Sequence, residues 1–365
     1  KGLFNLSQGE MVQGEKDLVA ALNIAPEVLE TRLQLCSLYL RQQNYQAAIE
    51  ILQGGLDNTP SDALLYNYLA ASYIAQKKPQ EGLAALEKAK IAKPDYFTPY
   101  FNIASYYISK RDYEKAVTEY EAVLAVDDKN LKSLVAIGAL SELSGDEEKA
   151  RQYFQMAAAT ETPSGYLALA QYLLRSKKYD DVPALLEAAL KAHPGHPAIL
   201  ELKGRLLAEK SGLAEAAPVF RELEKVRPGR GTSLMVAAYL KNGESDKARE
   251  MAEKVIEMAP QSAYGYLLLS SVQEREHEPP AALKTLQEGL KNVDRETPAL
   301  KMRLGVIYEK MANYELAMLT YQEVKELLIP LDEVGVLLCN GRHVDFDREL
   351  VEGDICSIFP KIGGG

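Results

Sequence analysis

The sequence contains no tryptophan, three cysteines and four histidines in 365 residues. Cys36, Cys339 and Cys356 form an odd set with no C-x-x-C, which supports neither a disulfide framework nor a cysteine-rich zinc site and leaves the redox compartment open. Cationic side chains are in deficit: 42 Lys and Arg stand against 52 Asp and Glu, a formal net charge of -10. Binding to nucleic acid or to an anionic membrane surface needs clustered positive charge, so neither partner is favoured. No apolar run reaches the length of a membrane span. The chain opens at Lys1 without a charged-then-apolar leader, so its start is expected to be cut or processed, and localisation is left open between cytoplasm and cell envelope. Nothing matches a nucleophile elbow, a phosphate-cradling glycine loop or a zinc-protease helix, so no enzyme, cofactor or metal is expected.

What is present is a repeat. At 47% hydrophobic residues the chain is too apolar to stay disordered, and its length calls for two or three domains or an array whose core grows along one axis. Pro60 and Pro94, then Pro194 and Pro228, are spaced 34 residues apart, and each closes an Ala/Leu-rich amphipathic stretch. Between the first two, Tyr66, Leu69, Ala70 and Tyr73 share one helical face, and Gly82, Leu86 and Ala89 share a second. Ser144-Gly145-Asp146 and Asn242-Gly243-Glu244 read as turns within helix pairs, and the Pro-Gly steps at Pro194 and Pro228 as turns between them. Ala48, Ala116, Ala150, Ala216, Ala248, Ala282 and Ala317 fall at one equivalent position, where a small residue lets two helix backbones approach.

These residues resemble the tetratricopeptide repeat, with its spaced large, small and aromatic positions followed by proline. Units are placed at residues 29, 63, 97, 131, 163, 197, 229, 263 and 298, and the bulky role that tryptophan often fills in that family goes to Tyr66, Tyr100, Tyr166 and Tyr266. The resemblance implies an all-α fold: a right-handed superhelical α-solenoid of about nine helix pairs over residues 29–330, with a short C-terminal β-containing tail. Residues 1–28 fit the second helix of a truncated unit, with no first helix before them. More loosely, the run of units and the Pro228-Gly229-Arg230-Gly231 link resemble repeat proteins of bacterial exosortase and exopolysaccharide systems, which implies a role in organising export machinery.

In this family ligand peptides touch the first helices on the concave face, which implies a scaffold binding a protein or peptide partner. Leu33, Gln34, Asn67, Tyr68, Phe101, Asn102 and Ser105 give a patch of amides and aromatics suited to an extended peptide backbone. The same positions also suit packing on the next unit, because groove and seam alternate within a turn. Later units offer Leu167, Gln171, Glu201, Arg205, Leu267 and Met302 there. The Lys and Asn set with which chaperone-binding members clamp a terminal carboxylate is missing. His193 and His196 read as an inter-unit turn rather than a metal pair, and Glu276-His277-Glu278 as a hydrated turn rather than an acid-base pair.

After Pro330 the pattern alternates. Val336 to Cys339, Asn340-Gly341, Val344 and Phe346, then Ile355 to Phe359 read as strands with a tight hairpin. Together with Glu352-Gly353-Asp354 and the terminal Gly363-Gly364-Gly365, the segment 331–365 resembles the C-terminal half of the ubiquitin-like sulfur carriers, the molybdopterin-synthase small subunit and thiazole-carrier family. That resemblance implies a flexible Gly364-Gly365 tail whose Gly365 carboxylate an adenylyltransferase partner would activate. The family's first hairpin and helix are missing, and half a β-grasp sheet cannot bury a core. The segment is therefore read first as a joint made when the chain was assembled, and otherwise as a motif docked on the last repeat, a fragment completed by another chain, or a β-rich cap.

Overall fold

The computed structural model describes residues 1–7, 10–293, 298–328, 334–339, 342–344 and 356–360. Its helices come in antiparallel pairs, here called first and second. They fall into two compact units, Lys1–Ala192 and His193–Gly365.

In the first unit α1 (Gly2–Ser7) packs on α2 (Met11–Ile24), and Asn5 donates to Asp17 at 2.8 Å. Residues 1–28 thus hold a short helix ahead of α2. The pairs that follow are α3 (Leu29–Arg41) with α4 (Tyr45–Gln53), α5 (Asp62–Ala75) with α6 (Pro79–Ala92), α7 (Thr98–Ser109) with α8 (Tyr113–Leu124), α9 (Leu131–Ser144) with α10 (Glu147–Ala158), and α11 (Pro163–Arg175) with α12 (Val182–Ala192). The second unit holds α13 (Pro197–Lys210) with α14 (Leu213–Val226), α15 (Arg230–Lys241) with α16 (Ser245–Met258), α17 (Ala263–Arg275) with α18 (Pro279–Asn292), and α19 (Pro298–Lys310) with α20 (Tyr314–Leu328).

One turn joins nearly every pair. A left-handed residue stands at Gln43, Lys77, Arg111, Gly145, Lys177, Gly212, Gly243, His277 and Ala312. In most of these turns the next N–H reaches back to a carbonyl near the end of the first helix, as in Asn44 to Tyr39, Asp146 to Ser141 and Asn313 to Tyr308. This satisfies otherwise orphaned carbonyls and reverses the chain in a fixed direction. Several second helices open on side-chain caps: Asn44, Asp112 and Asp146 accept from Ala47, Lys115 and Lys149 N–H.

Within a pair, size complementarity sets how closely the helices cross. An added Cβ on Gly138 would sit 3.0 Å from the Phe154 ring, on Gly204 2.4 Å from Phe220, and on Gly305 2.4 Å from Tyr321. In the pair α15 and α16 the sizes are reversed, with Val236 on the first helix and Ala252 on the second, both buried in one cluster. The crossing alanines Ala48, Ala116, Ala150, Ala216, Ala248 and Ala282 are fully buried. Phe154 also stacks on Tyr172 of the next first helix at 4.8 Å between ring centres, which carries the core from pair to pair. Arg32 replaces the bulky aromatic in the first pair: its guanidinium donates to the carbonyls of Ile51 at 2.5 Å and Pro26 at 2.8 Å, and Gly55 leaves room for its stem.

Cys36 lies fully buried on α3, and burial pushes its thiol up to about 11. The neutral form is favoured, so the thiolate that reacts is scarce at ordinary pH. Treated with a disulfide reagent at about pH 8, the native chain should keep its Cys36 peptide unmodified by mass spectrometry until denaturant is added.

Beyond α20 the backbone forms three short strands, β1 (Val334–Cys339), β2 (Arg342–Val344) and β3 (Cys356–Pro360). They pair antiparallel in the order β2-β1-β3, with Leu338 opposite both His343 and Ser357. Asn340, Gly341, Phe346, Ile355, Gly364 and Gly365 lie outside the described residues.

Candidate functional site

The first helices make a continuous face in each unit because they touch one another from pair to pair. In the first unit α3 meets α5 and α9 meets α11; in the second α13, α15, α17 and α19 meet in succession. Side chains along these seams decide what each face presents.

In the first unit Asn102 donates from Nδ2 to Oδ1 of Asn67 at 2.8 Å, joining α7 to α5. Two residues singled out from the sequence thus meet directly. Asn102 is exposed and Asn67 half-buried, and this bond uses neither the Asn67 NH2 nor the Asn102 carbonyl oxygen. Ser105 is exposed one turn along α7, and Ile74 is exposed on α5. Gln34 is half-buried on α3. Leu33 and Tyr68 pack against the buried cluster of the first pairs, so their role is in the seam. Phe101 is also a seam residue: its ring centre lies 5.9 Å from that of Tyr120, and Lys132 Nζ sits 3.7 Å above it. The physical reason is angular. Neighbours on a helix are about 100° apart, so Phe101 turns toward the next unit while Asn102 turns toward the one before.

The second unit presents a different chemistry. Arg230 donates to Glu201 through Nε at 2.8 Å and Nη2 at 2.5 Å, and Arg205 reaches the same carboxylate at 2.8 Å. Arg303 and Lys310 both close on Glu274, and Lys241 lies 3.7 Å from Glu209. Glu201 is mostly shielded, and the Arg230 guanidinium holds its carboxyl below the usual carboxylate range. In the first unit the equivalent arrangement is the pair Arg175–Glu142, with Nε and Nη2 at 3.0 and 2.7 Å. Sequence reading missed these pairs. Their signal is opposite charges about one repeat apart: Glu142 and Arg175, Glu201 and Arg230, Glu274 and Lys310.

Of the later positions singled out, Glu201 and Arg205 are spent in this ladder, Leu267 packs in a core cluster, and Met302 is exposed. Leu167 and Gln171 lie on α11, half-buried and exposed respectively. Glu276 and Glu278 are not simply hydrated: both carboxylates take Arg249 of α16, the second at 2.7 Å. Among the described residues no group of three His, Cys, Asp or Glu is placed to hold a metal, and no helix is long and apolar enough to cross a membrane.

Comparison with known proteins adds two families. A Mut7-C ubiquitin model matches residues 315–363, a span that takes in α20 as well as the strands. Among curated relatives, the chain is 32% identical over 101 residues to the chloroplastic tetratricopeptide repeat domain-containing protein PYG7 of Arabidopsis thaliana, covering 27% of this chain and 34% of that protein. It is 23% identical over 232 residues to DnaJ homolog subfamily C member 3 of Gallus gallus, covering 62% and 42%. The chain therefore spans less than half the length of either relative. The crystal structure of MamA is 25% identical, covering 44% of this chain and 94% of that one, with a TM-score of 0.35. Tetratricopeptide repeat models match residues 5–73, 98–130, 167–230, 234–292 and 299–327. With its recurrent helix pairs, left-handed turns and small-against-large crossings, the chain belongs to the tetratricopeptide repeat family.

Proposed function

We propose that the chain is a non-enzymatic binding scaffold, and that the first-helix face of its first unit holds an extended segment of a protein partner. The observation that carries this reading is the Asn67–Asn102 pair. Its outer NH2 and carbonyl match the one donor and one acceptor of a peptide group, so the pair can bind backbone without reading a charge. The second-unit face is less suited, since its charged groups already satisfy one another. From the loose resemblance of its run of units to repeat proteins of bacterial export systems we further infer an organising role in such an assembly.

A peptide selected on the full chain from a displayed library and titrated calorimetrically tests this. Asn67→Ala with Asn102→Ala should weaken it about tenfold or more, on the order of 1.4 kcal/mol, and Arg205→Ala should leave it unchanged. Raising the salt concentration should change the affinity little. Undiminished binding by the double variant, or equal loss from Ile91→Glu on an exposed second-helix end, would remove the face from consideration.

A second reading is favoured by the Mut7-C ubiquitin match. We infer from it that residues 331–365 form a β-grasp-like, ubiquitin-related tail. As a carrier it would present a free Gly365 carboxylate to an adenylyltransferase, which would form the acyl adenylate with release of pyrophosphate before sulfur transfer. Appending one residue after Gly365 should abolish that adenylation and leave peptide binding on the first unit intact.

A further inference from the structure

The link between α14 and α15 carries a charge opposite to that of the chain as a whole. A cavity of about 520 Å³ opens where Pro228 meets the starts of α15 and α17, and Arg227, Arg230, Ser233, Ser262 and Tyr264 line it. Among the described residues no carboxylate stands in its wall, although acids outnumber bases 52 to 42 in the sequence. The cavity beside Pro60 in the first unit, about 490 Å³, has Asp62 in its wall.

The donors of this wall are not used up. Arg230 spends Nε and Nη2 on Glu201, which Arg205 also neutralises, so its Nη1 edge keeps no acceptor among the described residues. Arg227 is exposed, and its guanidinium has no partner among the described residues. Tyr264 donates its hydroxyl proton to the Gly229 carbonyl at 2.5 Å and so accepts from Ser233 at 3.0 Å. Burial pushes the Tyr264 phenol up, which keeps it neutral and adds no negative charge. Ser262 accepts from the Tyr264 N–H at 3.4 Å, which leaves its own O–H to donate. The Gly229 and Thr232 N–H groups at the start of α15 already donate to Glu224, so a ligand here is held by side chains.

We propose that this cavity binds a phosphate monoester, with Arg227, the Nη1 edge of Arg230 and the Ser262 hydroxyl on its outer oxygens. A carboxylate offers two oxygens, which a single guanidinium fork satisfies. Two guanidiniums and a hydroxyl call for an anion with three outer oxygens and up to two charges. The cavity has the size of a small-molecule site and is roomier than the anion needs, and Pro228 with the Tyr264 ring gives the organic part an apolar wall. An extended polyanion is disfavoured, because it would meet the net charge of -10 beyond the cavity. The site is separate from the Asn67–Asn102 pair and does not rest on it.

Calorimetric titration of the full chain in phosphate-free, low-salt buffer tests this, with free O-phosphoserine and a Gly/Ala peptide carrying one phosphoserine as probes. At least one of them should bind, and Arg227→Gln should weaken it about tenfold. Arg230→Lys, which keeps the charge and loses the fork, should also weaken it, whereas Lys241→Gln, outside the cavity, should leave affinity within about twofold. Thermal melting of Arg227→Gln should match the parent, since that guanidinium holds nothing in the fold. Equal binding of both probes makes the ligand a small phosphate ester, and binding of the peptide alone makes it a phosphorylated protein segment; both support the monoester. Three results overturn the proposal: neither probe binding at about 10 mM, equal loss from Lys241→Gln, or a glutamate peptide binding as tightly as the phosphoserine one.

Discussion

Phe220→Ala should cost about 3–5 kcal/mol, the range for emptying a buried aromatic site. The ring is fully buried between α13 and α15, and Gly204 faces it with no side chain. Glycine cannot grow to refill the void, and the bonded helix backbones limit how far the site collapses. In an array the loss is local, because each pair leans only on its neighbours. A single melting temperature would blur it. Exchange with urea titration should show α13 to α15 opening first, with the helices of Lys1–Ala192 unchanged. Met156→Ala, at a half-exposed position, should change stability by less than about 0.5 kcal/mol. A Phe220→Ala loss under about 1 kcal/mol would mean that the pair closes over the cavity and that the ring is filler rather than spacer.

Gly231→Ala should destabilise the same unit by a different route. Alanine is the better helix former by about 1 kcal/mol, so propensity alone favours the change. Packing opposes it: the new Cβ would lie 2.0 Å from the Phe220 carbonyl oxygen and 2.9 Å from the Glu224 nitrogen, both backbone atoms. No rotamer relieves such a contact, so α14 and α15 must part. Parting pulls the Glu224 carboxylate from the Gly229 and Thr232 N–H groups, which donate to it at 2.6 and 2.8 Å and are part of the start of α15. Overpacking of about 1–3 kcal/mol plus the lost cap outweighs the propensity gain, for a net loss of about 2 kcal/mol or more by chemical denaturation. Equal or higher stability would show that α15 slides without cost.

Much of the fold was legible because its packing is written at fixed intervals. The crossing alanines recur at one position, and all of them are buried. The turns were legible where glycine marked them, at Gly145 and Gly243, and hidden where Gln43, Lys77 or Arg111 takes the same left-handed geometry under the hold of the surrounding bonds. The candidate site was legible in part. Asn67 and Asn102 meet, whereas Phe101, one residue away from Asn102, belongs to the seam. A rotation of one residue decides that, and no single-helix pattern fixes it. The ion pairs across first helices escaped because each joins residues a repeat apart, and the Glu276–Glu278 turn was misjudged because its cation, Arg249, comes from another helix.

The reversed crossing of α15 and α16 has a consequence for how such chains recombine. Exchanging second helices between neighbouring pairs would set Val236 against Phe220, which leaves no room, and Gly204 against Ala252, which leaves a hole. Each pair is thus keyed like a lock to its own partner. Duplication of a whole pair preserves the key, and a break inside a pair destroys it. Gene rearrangements that survive in this lineage should therefore have their endpoints in the links between pairs, near Pro194 and Pro228, rather than in the tight turns within them.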